Sequence, residues 1–242
     1  MKFLNLPILE RLMIKKKLII VMPTFNEEKT IKKVVNDWVK IAKKYSGLLL
    51  IINDGSTDDT LKILKDIKNK NIKVINQKNI GHCRSLVKGY KFAIKKSYRH
   101  IFQVDSDDQF TTKDFSYFWK NKNYDFLLGY RKKRFDQLIR LIITRILILF
   151  IFLRFGVFIN DANTPYRLIN GKLLKKYFYK IKHTKYVPNI LLSIFFFKNF
   201  KSKTIIIKHK KRKFGVPWII RLNLLKFCLR SALKVFKFKT SF

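Results

Sequence analysis

The chain has 242 residues, 48% of them hydrophobic, which is enough to bury one sizeable core and excludes a disordered basic tail. Lys and Arg total 54 against 15 Asp and Glu, so the formal charge is +39, and a field of that size attracts phosphates, whether in nucleic acid, nucleotides or lipid headgroups. Lys, Ile, Asn and Phe are all abundant, as codon bias would make them, so charge alone names no partner.

The N-terminus, "MKFLNLPILERLMIKKKLII", has its charges after its apolar residues, carries Glu10 and offers no small-residue cleavage site, so it does not read as a signal peptide. From there short β-rich runs alternate with helical patterns. The runs are "LIIVM" (Leu18 to Met22), "LLLIIN" (Leu48 to Asn53), "KVIN" (Lys73 to Asn76), "HIFQVD" (His100 to Asp105) and "DFLLGY" (Asp125 to Tyr130). Between them "EKTIKKVVNDWVKIAKKY", "DDTLKILKDIKNK" and "CRSLVKGYKFAIKKS" carry apolar residues near helical spacing. This alternation predicts an α/β layer with a mostly parallel central sheet flanked by helices, in which ligands bind beyond the carboxyl ends of the strands. The segments "PTFNEE", "NDGSTDD", "NIGH" and "DSDDQF" follow the first four runs, where that rule puts a site. Cys83 and Cys228 sit in no paired-ligand spacing, which argues against a zinc site or a disulfide framework and fits a reducing, cytosolic setting.

The apolar run "LIITRILILFIFLRFGVFI", Leu141 to Ile159, is interrupted by Arg145 and Arg154 and falls short of the ~20 apolar residues a spanning helix needs. It is expected to cover the sheet, or to lie on a membrane, rather than to cross one. After Asp161 there is no acidic residue at all, while Lys and Arg continue to the end. The last helical pattern, "PWIIRLNLLKFCLRSALKVFKF", places Lys226, Arg230, Lys234 and Lys237 within a narrow arc, with Leu222, Leu225, Leu229, Leu233 and Phe236 mostly on other sides. Such a basic amphipathic C-terminal helix suits an anionic bilayer surface, and it equally suits packing on its own domain.

Eight of the 15 acidic residues fall in four short groups: Glu27 with Glu28, Asp54 with Asp58, Asp105 with Asp107 and Asp108, and Asp161. In a chain this basic, carboxylates concentrated at strand ends read as ligands rather than as solubilisers. Asp58 or Asp59, after "GST", reads instead as a helix N-cap. In "DSDDQ", like charges so close repel unless a cation offsets them, and a D-x-D with a nearby amide oxygen offers hard donors suited to Mg or Mn already partly held by a diphosphate.

Six segments in order, "IIVMPTFNEE", "IINDGSTDDT", "NIGHCRSLVKGYKFA", "VDSDDQ", "LGYR" and "DANTPYRLIN", resemble the inverting family 2 glycosyltransferases with the A-type nucleotide-diphosphosugar transferase fold. The nearest pattern is that of the polyprenyl-phosphate sugar transferases typified by dolichyl-phosphate mannosyltransferase, from about Leu18 to Gly215. The resemblance implies that Pro23, Phe25 and Glu27 contact the base and ribose of a nucleotide diphosphate sugar, that Asp54 meets the base, and that Asp105 and Ser106 border the nucleotide. Asp107 and Gln109, with Asp105 beside them, match the ligands of a divalent Mg or Mn. Arg131 would reach the phosphates, and Arg212 in "RKFG" looks like the late arginine that closes over the diphosphate. In the lipid-phosphate members, residues matching Arg131, Arg140 and Thr144 hold the acceptor phosphate, while Asp161 and Arg167 lie in a loop behind it with a positioning role. The implied domains are a catalytic domain over 1–215, with an acceptor- and membrane-facing segment at about 132–160, and a basic amphipathic segment over 216–242.

The chain departs from that pattern in its last third. After the glycine it reads "GVPW", so Trp218 stands where a lysine is usual, and Asn189 and Ser193 stand where one subgroup has a lysine and a glutamate. Clamping of the diphosphate would then rest on cations such as Lys210, Lys211 or Lys213.

The acceptor can be argued from chemistry. Inverting transfer to a sugar hydroxyl calls for a general base, and the second half offers no carboxylate beyond Asp161. A phosphate monoester is already anionic and needs cations to hold it in line. Arg140 and Thr144, four residues apart, share one helical face directly before the apolar run, which would receive a prenyl tail. The expectation is a metal-dependent, peripheral transferase at the cytoplasmic face of a membrane, acting on polyprenyl phosphate, with a membrane-anchoring partner protein among its candidate partners. The alternatives are a same-fold transferase decorating a cell-surface polysaccharide or lipopolysaccharide, with Asp161 or a substrate group as base, and an inactive relative of these enzymes. A basic nucleic-acid-binding protein lacks the expected stacking platform or recognition module, so no specific nucleic acid is expected.

Overall fold

A computed structural model of the chain describes residues 17–134, 138–184, 186–214 and 230–241. The N-terminal segment through Lys16, the "GVPW" stretch, and Leu222, Leu225, Lys226, Cys228 and Leu229 of the final helical pattern lie outside the described residues.

Strict alternation of apolar side chains sets the two faces of the sheet. In β1 (Leu18–Thr24), Leu18, Ile20 and Met22 enter one hydrophobic cluster while Ile19 and Val21 enter the other. β2 (Leu48–Asn53) divides Leu49 and Ile51 from Leu50 and Ile52 in the same way. β3 (Ile72–Asn76), β4 (His100–Gln103), β5 (Phe126–Arg131), β6 (Arg167–Asn170) and β7 (Ser202–Ile207) complete a seven-stranded sheet of order β3-β2-β1-β4-β6-β5-β7. The β3-β2-β1-β4 half is parallel throughout. β6 runs antiparallel between β4 and β5, and β7 pairs parallel with β5. The mostly parallel α/β expectation is met, with one reversed strand.

The reversal has a consequence for the site. β6 is antiparallel to both neighbours, so β5 and β7 run in the direction of β1 to β4, and the carboxyl ends of all six parallel strands emerge on one edge. "PTFNEE", "NDGSTDD", "DSDDQ", Arg131 and the segment after Ile207 therefore share that edge.

Helices cover both faces. On one lie α1 (Ile31–Lys44), α2 (Thr60–Asp66) and α4 (Phe115–Lys120), around a cluster in which Trp38 stacks on Phe102 at 5.4 Å and Tyr166 meets Phe102 edge-on at 4.8 Å. Each such aromatic contact contributes about 0.5–1.5 kcal/mol beyond its buried area. On the other lie α3 (His82–Lys95), α5 (Leu138–Phe155), α6 (Gly171–Tyr177) and α7 (Pro188–Asn199). Among the described residues no helix is long and apolar enough to cross a membrane. Residues 230–236 are helical, and Val235 and Phe238 are buried in the second cluster, so this part of the C-terminal pattern packs on the domain while Leu233 and Phe236 stay exposed.

Candidate active site

The first two strand-end loops are laced together. Asn26, with a left-handed φ of 52°, accepts at Oδ1 from the Thr57 backbone N–H at 2.8 Å, and its own N–H donates to Ser56 Oγ at 3.0 Å. Glu28 N–H donates to Asp58 Oδ2 at 3.1 Å, and Asp58 Oδ1 accepts from Thr60 N–H at 3.0 Å. Asp58 thus supplies the cap expected at the entry to α2, and Asp59, the residue at the boundary, makes no side-chain cap. Phe25 is half-buried beside this lacing and Pro23 is buried, its carbonyl accepting from Ser106 Oγ at 3.1 Å.

Asp54 is buried at the end of β2. Its Oδ1 accepts from Gln77 Nε2 at 2.7 Å and Ile80 N–H at 2.9 Å, and its Oδ2 from Gly81 N–H at 2.9 Å. It thereby fixes the loop that enters α3. Gly55 beside it has φ 73°, and a Cβ there would sit 2.6 Å from the Asn79 nitrogen, so only glycine lets the two loops come so close.

The loop after β4, with Glu27 of the first loop beside it, holds the charge. Glu27 is nearly buried; Thr30 Oγ1 donates to its Oε2 at 3.1 Å, and Arg212 Nη2 donates to its Oε1 at 2.6 Å. Burial raises the Glu27 carboxyl above its ordinary range, outweighing the opposing pull of Arg212 and Thr30. Arg212 Nη1 also donates to Asp107 Oδ2 at 3.3 Å, so one guanidinium bridges two carboxylates that lie far apart in sequence. Asp107 is pushed up to about 7, first by burial and then by the charge of Asp105, against the lowering effect of Arg212. Asp105 Oδ1 is buried without a hydrogen-bond partner; the His82 Nε2 atom stands 3.8 Å away.

These are the marks of a site short of positive charge: a buried orphan carboxylate oxygen next to a carboxyl driven toward protonation. Among the described residues no three carboxylate, imidazole or thiol side chains converge as a ready-made metal cage. Asp105 and Asp107 fit instead a hard cation that takes its remaining oxygens from a bound diphosphate and water. Gln109 Nε2 donates to the Lys210 carbonyl at 3.1 Å, which ties this predicted ligand to the segment carrying Arg212. Asp108, given no role by the sequence, accepts from Lys210 at 2.6 Å and Lys33 at 2.9 Å. Burial would raise its carboxyl, but those two ammonium groups hold it below the usual range.

A second group forms at the end of β5. Arg131 meets Asp161 through Nε to Oδ2 at 2.7 Å and Nη2 to Oδ1 at 2.9 Å. Arg134 Nη1 donates to Thr144 Oγ1 at 2.9 Å and stands 3.9 Å from Asp161 Oδ1. Arg134 therefore reaches the hydroxyl that helical spacing had paired with Arg140. Arg140 is in the first turn of α5, and its side chain lies outside the described residues. The ten-residue separation of Arg134 from Thr144 is no helical spacing, and Arg134 precedes α5, so periodicity gave no hint of the pair.

Arg167 is fully buried under this site. It donates to the carbonyls of Ala162, Thr164 and Asn189 and to Ser193 Oγ, and burial pushes it down to about 10. Asn189 and Ser193 are buried in the same network, so the two positions where one subgroup has a lysine and a glutamate brace the loop of Asp161. The Arg167 guanidinium is thus engaged by the loop of Asp161 and by the start of α7.

Comparison with known proteins agrees with this arrangement. The uncharacterized protein MJ0544 of Methanocaldococcus jannaschii is 31% identical over 173 residues, 65% of this chain and 73% of its own length. The crystal structure of S. aureus TarS 1–349 in complex with UDP-GlcNAc superposes with a TM-score of 0.60 at 20% identity, over 92% of this chain and 67% of that one; another crystal structure of TarS 1–349 is covered over 58% of its length. Glucosyl-3-phosphoglycerate synthase from Mycobacterium tuberculosis in complex with UDP superposes with a TM-score of 0.67 at 15% identity, over 97% of this chain and 84% of that one. These likenesses establish the A-type nucleotide-sugar transferase fold. The Glycosyl transferase family 2 model matches residues 19–209, most of the chain, and the protein belongs to that family.

Proposed function

We propose that the protein transfers a hexose, with inversion, from a nucleotide diphosphate sugar of the GDP-mannose or UDP-glucose type to polyprenyl phosphate (dolichyl or undecaprenyl), working peripherally at the cytoplasmic face of a membrane. The observation that carries the acceptor reading is the state of Asp161. It is the last carboxylate in the chain, it is buried, and both its oxygens are occupied by Arg131. A carboxylate clamped in this way is a poor general base, whereas a phosphate acceptor requires none.

On the donor side, Pro23, Phe25, Glu27, Asp54 and Ser106 would line the nucleotide. Asp105 and Asp107, with the Gln109 amide oxygen near, would hold Mg or Mn, whose chemistry is to neutralise the departing diphosphate. Arg212, already poised between Glu27 and Asp107, would exchange those carboxylates for diphosphate oxygens. The acceptor phosphate oxygen forms the new bond to the anomeric carbon as the bond from that carbon to the diphosphate breaks, and no proton need leave the nucleophile. Arg131, Arg134 and Thr144, with Arg140 four residues before Thr144 in the sequence, would orient that phosphate against the repulsion of the donor. The exposed apolar side of α5 would then meet the prenyl tail and the bilayer. Support for the donor class comes from fold neighbours solved with UDP-GlcNAc and with Mn2+, UDP-glucose and phosphoglyceric acid.

A second reading, transfer to a cell-surface polysaccharide or lipopolysaccharide, is favoured by Asn189 and Ser193, which are neutral and buried where one subgroup of the family has a lysine and a glutamate. Labelled GDP-mannose, UDP-glucose and UDP-GlcNAc, offered with Mn to a short polyprenyl phosphate and in parallel to saccharides, separate the two. Labelled lipid supports the first reading; label on saccharide alone replaces it with the second.

A further inference from the structure

Asp108 has no part in the donor or acceptor chemistry, yet its placement is specific. It sits in the left-handed region at φ 56°, and this turn directs its carboxylate to Lys210 and Lys33 while Asp107 faces Arg212. Lys33 is itself fixed on α1 by Asp37 at 3.1 Å. Lys210 begins the stretch of chain that leads, two residues later, to Arg212, and β7 has ended at Ile207, so no regular ladder supports that stretch. What supports it is the "DSDDQF" loop. Lys210 N–H donates to the Gln109 carbonyl at 2.9 Å, Gln109 Nε2 returns to the Lys210 carbonyl at 3.1 Å, and Phe110 bridges to His209. The Asp108–Lys210 pair, at 2.6 Å and only partly exposed, is the charged member of this set.

We infer that Asp108 is a positioning residue: by holding Lys210 it fixes the segment that carries Arg212, and so sets how tightly the site grips the diphosphate of its donor. The inference rests on the nucleotide-sugar reading of the site. Its physical content is preorganisation. An arginine whose backbone is anchored loses less freedom on meeting a diphosphate than one on a loose strand of chain, so the anchor appears as diphosphate affinity and leaves base recognition untouched.

Asp108→Asn tests this cleanly, because asparagine tolerates the left-handed conformation and removes only the charge. GDP, UDP, guanosine and uridine binding, each with Mn, are measured for the wild type, Asp108→Asn, Lys210→Ala and the double variant. Each single change is expected to weaken diphosphate binding by about tenfold, the double variant by no more than either alone, and the nucleosides not at all. Undiminished diphosphate affinity, or an equal loss for the nucleoside, overturns the inference. Hydrogen exchange of ligand-free protein over residues 208–214 provides a second readout: faster exchange in Asp108→Asn supports the anchor, and unchanged exchange overturns it. Wild-type protein that binds neither GDP nor UDP overturns the donor reading, and the exchange experiment still decides the anchor.

Discussion

Arg131 and Asp161 form a two-pronged pair, 2.7 and 2.9 Å, in which the carboxylate is 1% exposed. A base in this position would have to surrender an arginine hydrogen bond to take up a proton. Asp161→Asn is therefore expected to reduce kcat/KM by loosening Arg131, by about tenfold, and to leave the shape of the pH–rate profile intact. Arg131→Ala and Arg134→Ala, which would remove cations from the proposed acceptor phosphate, are expected to cost about a hundredfold or more. The same Asn variant leaves a mostly buried guanidinium without its counter-charge, at about 3 kcal/mol of stability in a urea melt. Loss of the acid-limb dependence in Asp161→Asn, with a rate collapse larger than that of Arg134→Ala, would identify Asp161 as the base and a hydroxyl as the acceptor.

Arg212 offers a prediction with two opposite signs. In the ligand-free protein its guanidinium is the cation between Glu27 and Asp107. Arg212→Ala removes it, so Mn alone should raise the apparent melting temperature of the variant more than that of the wild type, because the metal takes over a charge deficit that the arginine had covered. Nucleoside diphosphate affinity should move the other way and fall by about tenfold or more, since a charge-assisted contact to the diphosphate is gone. Equal Mn shifts in the two proteins would show that Arg212 and the metal do not share carboxylates.

How far the sequence reached follows from what each feature depends on. β1, β2 and β5 were legible because buried runs of Ile, Leu and Val are bounded by turn residues, and their observed ends fall within a residue or two of the runs. β6 was not, because four residues, one of them the buried Arg167, carry no periodic signal. The carboxylate loops were legible as a local excess of one charge. Their partners were not, because Arg212 meets Glu27 across 185 positions and Lys210 meets Asp108 across 102, and nothing local in a chain with 54 cationic residues marks those two as the partners. The Arg134–Thr144 contact was hidden because Arg134 lies before α5 and ten residues from its partner, a separation that follows no helical period.

His100 provides a pH test independent of the site. It is buried at the start of β4 with its ring edge-on to Trp119 at 5.3 Å, and burial, with the charges of Arg99 and Lys122, lowers it from 6.5 to about 4. Between those values the unfolded chain binds a proton that the native state refuses, so stability rises with pH across the window. The contribution is complete above about 6.5 and is lost as the pH falls toward 4. For a shift of this size it is on the order of 3 kcal/mol. His100→Phe should keep the aromatic contact and flatten the difference in urea midpoint between pH 7.5 and pH 4.5; an unchanged slope would place the acid sensitivity elsewhere.

The exposed side of α5 carries the membrane reading. Leu138, Ile142, Ile146, Leu149 and Leu153 recur at helical spacing, and Leu138 and Leu153 are more than 70% exposed, while Ile151 and Phe155 on the opposite side are buried in the core. Folding has no use for those outward leucines, so Leu149→Glu with Leu153→Glu should leave the melting temperature within a few degrees of the wild type. At a bilayer the same pair forfeits about 1.5–3 kcal/mol of burial per side chain and adds repulsion from anionic headgroups. Flotation with phosphatidylglycerol vesicles should therefore fall by at least about tenfold, with high salt weakening the wild type as well because its basic residues contribute. Transfer to a short-chain, water-soluble prenyl phosphate should persist in the variant, since Arg131, Arg134 and Thr144 are untouched. A double variant that floats as the wild type does would remove α5 from the membrane face and leave its apolar stripe to another surface, with the chemistry of the site unaffected.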